Sequence, residues 1–188
     1  AAGAEDPGFY ARKSADTPPV VFLIGPVHGQ EVEGVAGMVN LLRVAETGRD
    51  WRDKAWPALR AALDRCRVVI VPLPNPDGRA RCPYDSFIGL TGEEMTRVGQ
   101  GTRKDGTLYR WPGVKAIHPM RGDVGFLGAY FNDAGINLMH DEFFAPMADE
   151  TRALLDIARD EAPDYLLNLH SHESPPAVLA TSYVPRST

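Results

Sequence analysis

The sequence contains little cysteine, no long apolar run and no excess of basic charge. Cys66 begins an apolar run and Cys82 lies beyond its end, about 17 to 20 Å away if the run is a strand, so we expect two free thiols. The apolar runs are of strand length, well short of the ~20 residues that cross a bilayer. A net charge of −5, with 20 scattered Lys and Arg residues, disfavours nucleic acid and anionic membranes as partners.

The first 19 residues are polar and small, with three prolines, and lack the apolar core of a secretion signal. A cleaved signal would leave the same appearance, so the compartment stays open, with a secreted or periplasmic location favoured over the cytoplasm. A chain of 188 residues that is 44% hydrophobic is long enough for one domain with a substantial core. We therefore expect residues 1–188 to form one α/β domain.

Three apolar runs predict strands. The first covers residues 20–24 and stops at Gly25-Pro26. The second, residues 66–73, shows no alternation of apolar and polar residues, which is typical of a strand covered on both faces. The third covers residues 164–169. The first run is followed by a helical pattern that ends at Gly48: Val32, Val35, Ala36, Val39 and Leu42. Further helices are expected from near Trp56 and from Asp149.

The middle of the chain has no sustained period. Asn75-Pro-Asp-Gly78 has the composition of a tight turn, and residues 78–135 are rich in Gly and Pro. We expect long functional loops there, with one short helix at residues 93–98.

Each predicted strand ends in polar residues. His28 and Glu31 follow the first strand, Asn75 the second and His170 the third. In α/β sheets ligands bind beyond the carboxyl ends of the strands, so these side chains are expected to converge. A His and a Glu three residues apart can hold one ion, although the spacing alone is weak evidence, and His170 and Glu173 repeat it.

Two histidines and one glutamate make a catalytic zinc set. Four separated blocks of the sequence resemble those of the carboxypeptidase A type zinc metallopeptidases: His28-Gly-Gln-Glu31, Asn75-Pro-Asp-Gly78, Gly135-Ile-Asn-Leu138 and Leu169-His-Ser-His172. The resemblance spans about residues 20–180. It implies a three-layer α/β/α sandwich with a mixed, mostly parallel sheet whose C-terminal part is missing from this sequence.

The resemblance also implies site residues. The metal ligands would be His28, Glu31 and His170, holding one Zn²⁺ per chain; the alternative for His28 is a histidine packed in a turn. His172 would line the cleft, and Glu173 would be a solvated acid or one near the ligands. His118, in a Pro-flanked loop, is expected at the surface.

The resemblance also implies roles for one asparagine and one arginine. Asn137 stands where the family commonly has an aspartate that accepts a hydrogen bond from the first metal histidine, a role that an amide oxygen fills less strongly. The arginine that stabilises the transition state would be Arg121, with Arg110 as the alternative; either could instead be a solvated surface charge.

The sequence departs from the family pattern at two places. Met139-His140 replaces the Asn-Arg pair that clamps the free carboxylate of the substrate, and neither a thioether nor one imidazole reproduces a two-pronged guanidinium contact. His140 is therefore expected to contact substrate, serving as a partial clamp when protonated. The general-base glutamate of the family lies well past the third ligand, and this sequence ends at Thr188 before such a position.

These observations predict a zinc-dependent metallopeptidase of the carboxypeptidase type that acts on a peptide or small amide through metal-activated water. One alternative is an N-acyl amino acid deacylase or other amidase on the same fold. Another is a non-catalytic homologue that keeps the metal site for binding or stability.

Overall fold

A computed structural model describes residues 13, 17–85, 89–111, 113–116, 119–141 and 147–171. The predicted residues His118, His172 and Glu173 lie outside these ranges. The described helices and strands follow in chain order: β1 (Val20–Ile24), α1 (Val32–Thr47), α2 (Pro57–Leu63), β2 (Arg67–Val71), α3 (Pro76–Arg81), α4 (Gly92–Gln100), β3 (Gly101–Thr102), β4 (Phe126–Leu127), α5 (Asp149–Glu161) and β5 (Tyr165–Asn168).

The main sheet has three parallel strands in the order β2-β1-β5. The chain crosses from β1 to β2 through α1 and α2, as parallel pairing requires. The carboxyl ends of all three strands therefore lie at the same end of the sheet. The parallel pairing, together with the helices, confirms a mixed α/β fold with a mostly parallel sheet. The third layer of the predicted sandwich stays a prediction.

The sheet packs around β1, the central strand. Phe22 and Ile24 of β1 are buried in a cluster with Ile136 and Leu138, and Leu154 of α5 is among the partly buried side chains that pack against it. Leu154, Ile157 and Ala158 of α5 pack against this cluster, whereas Leu155 of the same helix is 41% exposed. A second buried cluster supports the loops that approach the sheet edge: Tyr109, Val114, Met120 and Phe131.

Three predictions about the elements need correction. Residues 75–78 open a short helix, α3, because Asn75 caps it by accepting a hydrogen bond from the Gly78 amide at 2.9 Å. Residues 68–71 of β2 are only half-buried, since the strand forms one edge of the described sheet. The apolar stripe of α1 leaves Val39 and Leu42 exposed, while Met38 and Val44 are buried.

Other predicted boundaries hold. Gly48 ends α1 in the left-handed conformation at φ 75°, and α4 begins with a capping box between Thr91 and Glu94. Cys66 and Cys82 are free thiols, as expected. Within the described part of the chain, no helix has both the length and the apolar character needed to cross a bilayer.

Candidate metal centre

The loop after β1 carries the first two predicted ligands. Gly29 brings this loop so close to α3 that a Cβ there would overlap the backbone nitrogen of Arg79. The Gly29 amide donates to the Ala129 carbonyl at 2.8 Å, and the Asn75 side chain donates to the Val27 carbonyl at 3.0 Å. Only glycine fits between the two backbones, so the His-Gly sequence has a packing reason.

His28, Glu31 and His170 meet at the carboxyl ends of β1 and β5. Their ligand atoms all lie within 4.8 Å of one another. His28 Nδ1 is 2.7 Å from Glu31 Oε1, and His170 Nδ1 is 3.0 Å from Glu31 Oε2. One carboxylate thus joins two imidazoles, with one oxygen directed to each.

This donor set fits zinc. Two imidazole nitrogens and one carboxylate are ligands that Zn²⁺ binds at about 2.0 to 2.2 Å, which puts tetrahedral neighbours about 3.4 Å apart. The observed separations of 2.7 Å and 3.0 Å need only small adjustments to reach that value. Both histidines direct Nδ1 toward the Glu31 carboxylate, so they could bind an ion through equivalent atoms.

The charge of the group also suits a cation. Burial raises the pKa of the Glu31 carboxyl, but the hydrogen bonds from His170 and His28 outweigh it, so this pKa lies below its ordinary value. The Ser171 amide donates to Glu31 Oε2 at 3.2 Å and adds to the stabilisation of the anion. The Glu31 carboxyl therefore remains ionised at neutral pH, although the residue is only 5% exposed to solvent.

Tyr130 forms one wall of the site. Its ring stacks on His28 with the centroids 4.1 Å apart and the planes inclined by 21°. Burial raises the pKa of the Tyr130 phenol, the Glu31 charge raises it further, and a hydrogen bond with Gln100 opposes them only in part. The phenol is therefore neutral at physiological pH.

A family model described as zinc carboxypeptidase matches residues 6–175. The chain belongs to the zinc carboxypeptidase family. Comparisons with curated proteins and with solved structures gave no match. Members of this family depend on zinc, in agreement with a His-Glu-His group that could hold the ion.

The remaining predicted residues differ in how close they come to the metal group. Asn137 is buried, but its Oδ1 accepts from the Met139 amide at 3.1 Å, and no described contact joins it to His28. His28 Nε2 is buried and has no hydrogen-bond partner within the described ranges. His140 is half-buried on the short 3₁₀ turn that starts at Leu138.

Arg121 and Arg110 both lie on exposed parts of loops. No described contact joins either guanidinium to the metal group, so their roles stay predictions. Sequence reasoning missed Tyr130, because it comes from a loop region without a hydrophobic period. The only hint was the pair of aromatic residues at positions 130–131.

Proposed function

We propose that this protein is a zinc-dependent hydrolase of the carboxypeptidase type that cleaves peptide or related amide bonds. The convergence of His28, Glu31 and His170 supports this proposal most strongly, because it gives a family member the complete set of protein ligands of a catalytic zinc site. Zinc in such a site supplies a Lewis acid that activates water and polarises the amide carbonyl.

Residues of this chain would hold the metal group and assist the reaction. Glu31 contacts the Nδ1 atoms of both histidines through its two carboxylate oxygens, and the Ser171 amide donates to one of these oxygens. Tyr130 covers the face of His28 and excludes water from it. In the proposed reaction Arg121 stabilises the oxyanion that develops on the carbonyl.

Three other residues complete the proposal. Asn137 accepts a hydrogen bond from the Nε2–H group of His28 when Nδ1 of this histidine binds zinc. To do so, the Asn137 side chain would have to release the Met139 amide. His172, which lies outside the described residues, is assigned to the substrate cleft by the family resemblance alone. His140 is assigned to substrate binding.

The second candidate is an N-acyl amino acid deacylase or other amidase on the same fold, and the Met139-His140 pair favours an amidase whose substrate lacks a free carboxylate. Met139 is 41% exposed, and its thioether donates no hydrogen bond to a substrate carboxylate. An enzyme with this pair would discriminate weakly between free and amidated C-termini. Product analysis on peptides and on acyl amino acids separates the two candidates.

The direct test compares zinc-loaded wild type with Glu31→Gln. A neutral amide removes one ligand charge, so this variant should lose bound zinc and amide hydrolysis together. Glu33→Gln is the matched control, because Glu33 is an exposed carboxylate two residues further along. Hydrolysis that resists a chelator, or that survives in Glu31→Gln, would overturn the proposal.

A further inference from the structure

The ring that stacks on His28 is carried by a tight turn. The Phe131 amide donates to the Gly128 carbonyl at 3.2 Å, which closes a four-residue turn with Tyr130 at its third position. The Tyr130 amide donates to the Gly99 carbonyl at the end of α4, at 2.9 Å. The direction of the Tyr130 side chain therefore depends on how the two ends of the 128–131 turn are held.

Arg81, the last residue of α3, contacts both ends of this turn. Its Nη2 atom donates to the Phe131 carbonyl and, at 3.5 Å, to the Gly128 carbonyl, while its Nη1 atom pairs with the Asp133 carboxylate. A guanidinium presents its donors in a fixed plane, so these contacts set the position of the turn as well as attract it.

Two details indicate that Arg81 does more than stabilise the fold. The Asp133 side chain is 78% exposed, and an ion pair with so exposed a partner contributes little to stability. Arg81 Nε is buried and, within the part of the chain that the structure describes, has no hydrogen-bond partner, which costs stability. The contacts with the two turn carbonyls are therefore the main result of placing an arginine here.

Helix α3 also holds the chain just beyond the turn. Asp77, one helical turn before Arg81, accepts from the Asp133 amide at 3.0 Å. Residues four apart lie on the same face of a helix, so Asp77 and Arg81 present one surface to residues 128–133. This surface supports Tyr130 from the side of α3.

We propose that Arg81 is a positioning residue for the metal group: it braces the 128–131 turn, and the turn keeps the Tyr130 ring stacked on the His28 imidazole. This inference rests on the proposed function, because the metal group gives the orientation of His28 its importance. Arg81 acts through Tyr130, and no described contact joins its guanidinium to His28, Glu31 or His170.

The first experiment measures zinc affinity by competition with a chelator. Arg81→Met keeps the apolar stem and should weaken zinc binding by about two- to tenfold, the range expected if an aromatic pair is lost. Arg79→Met is the matched control, because Arg79 on the same helix binds the Tyr84 carbonyl and the Asp85 carboxylate, each at 2.7 Å. Unchanged affinity in Arg81→Met, or equal weakening in both variants, would overturn the inference.

A double variant tests whether Arg81 acts through Tyr130. In a Tyr130→Leu background, Arg81→Met should cause no further loss of zinc affinity, because the contact that transmits its effect is already gone. Losses that multiply in the double variant would overturn the inference, since Arg81 would then act by another route.

NMR of the metal-free protein separates this inference from the proposed function. The Tyr130 ring current should shift the His28 ring protons upfield in wild type, and the shift should shrink in Arg81→Met but not in Arg79→Met. If Arg81→Met does not fold, Arg81→Lys takes its place, because one ammonium does not reproduce the planar fork. An unchanged His28 shift in the folded variant would overturn the inference. If the shift and the zinc affinity both respond but no amide is hydrolysed, the role of Arg81 stands and the hydrolase proposal fails.

Discussion

Tyr130 stacks on His28 with ring centroids 4.1 Å apart and planes inclined by only 21°. This contact fixes the plane of the imidazole while Glu31 fixes the direction of its Nδ1 atom. Stacking and the hydrogen bond together leave the ring no freedom to turn away from the metal position. Tyr130 is therefore a positioning residue for the metal group.

The first prediction concerns this stack. Tyr130→Leu should weaken zinc binding by about two- to tenfold, because an aromatic pair contributes about 0.5 to 1.5 kcal/mol beyond its buried area. Tyr130→Phe keeps the ring and should bind zinc almost as tightly as wild type. Competition with a chelator of known affinity measures both constants. An unchanged constant in Tyr130→Leu would show that the stack does not position His28.

The second prediction concerns zinc content. Wild type should carry about one zinc per chain, and His28→Ala or His170→Ala should lose most of it, since two ligands do not complete the site. His140→Ala is the matched control, because this imidazole lies outside the ligand group. Elemental analysis after dialysis decides the matter. Equal zinc content in all four proteins would contradict the assignment of His28 and His170 as zinc ligands.

The sequence predicted the elements that carry a clear period and the convergence of His28, Glu31 and His170 at their ends. Strands β1 and β5 were visible as apolar runs, and parallel pairing then forces their ends, with His28 and His170, to one edge of the sheet. Glu31 followed from its spacing to His28. Local patterns were enough at these positions because each of the three side chains lies within seven residues of a strand end.

The parts that escaped prediction depend on contacts distant in sequence. Tyr130 reaches His28 across about a hundred residues, and Trp111 reaches both Tyr130 and His140 through loops without a period. The sequence pattern also failed to predict which side of α1 is exposed, for a similar reason. Val39 and Leu42 have helical spacing, but the three-dimensional packing, not the pattern, decides which side of a helix is covered.

The third prediction concerns the unpartnered nitrogen of His28. Nε2 is buried without a hydrogen bond within the described ranges, and Asn137 is the proposed acceptor. Asn137→Asp should tighten zinc binding by about tenfold, because a carboxylate accepts the imidazole proton more strongly and makes the ligand more basic. Competition with a chelator again provides the constant. Weaker or unchanged binding would mean that residue 137 does not reach His28.

The fourth prediction tests the oxyanion role of Arg121. Arg121→Ala should lower kcat by about 10²- to 10³-fold with a smaller change in KM, as expected for a donor that acts mainly in the transition state. Arg110→Ala is the control, since both arginines are exposed on loops. A loss of kcat in Arg110→Ala alone would transfer the role to Arg110. Unchanged kcat in both variants would remove arginine from this step.

The fifth prediction concerns Asp50, which organises the loop between α1 and α2. Its carboxylate accepts hydrogen bonds at 2.9 Å from the Trp56 indole and from the amides of Arg52 and Lys54. The Trp56 bond contributes most, and together with the amides it holds the pKa of Asp50 below its ordinary value despite burial. The folded protein therefore binds the ionised form of Asp50 more tightly than the unfolded chain does.

The sign of the pH dependence follows from this lowered pKa. The stabilisation is fully present above the unfolded pKa of about 3.9 and is lost as the pH falls through the lower folded pKa. Asp50→Asn should thus lower the melting temperature at pH 7, and its difference from wild type should shrink as the pH falls below about 4. Asp53→Asn is the control, because Asp53 is exposed in the same loop and its positive φ of 63° suits asparagine. Thermal unfolding at pH 7, 5 and 3 measures the effect, and a difference that stays constant over this range would show that the charge of Asp50 does not stabilise the loop.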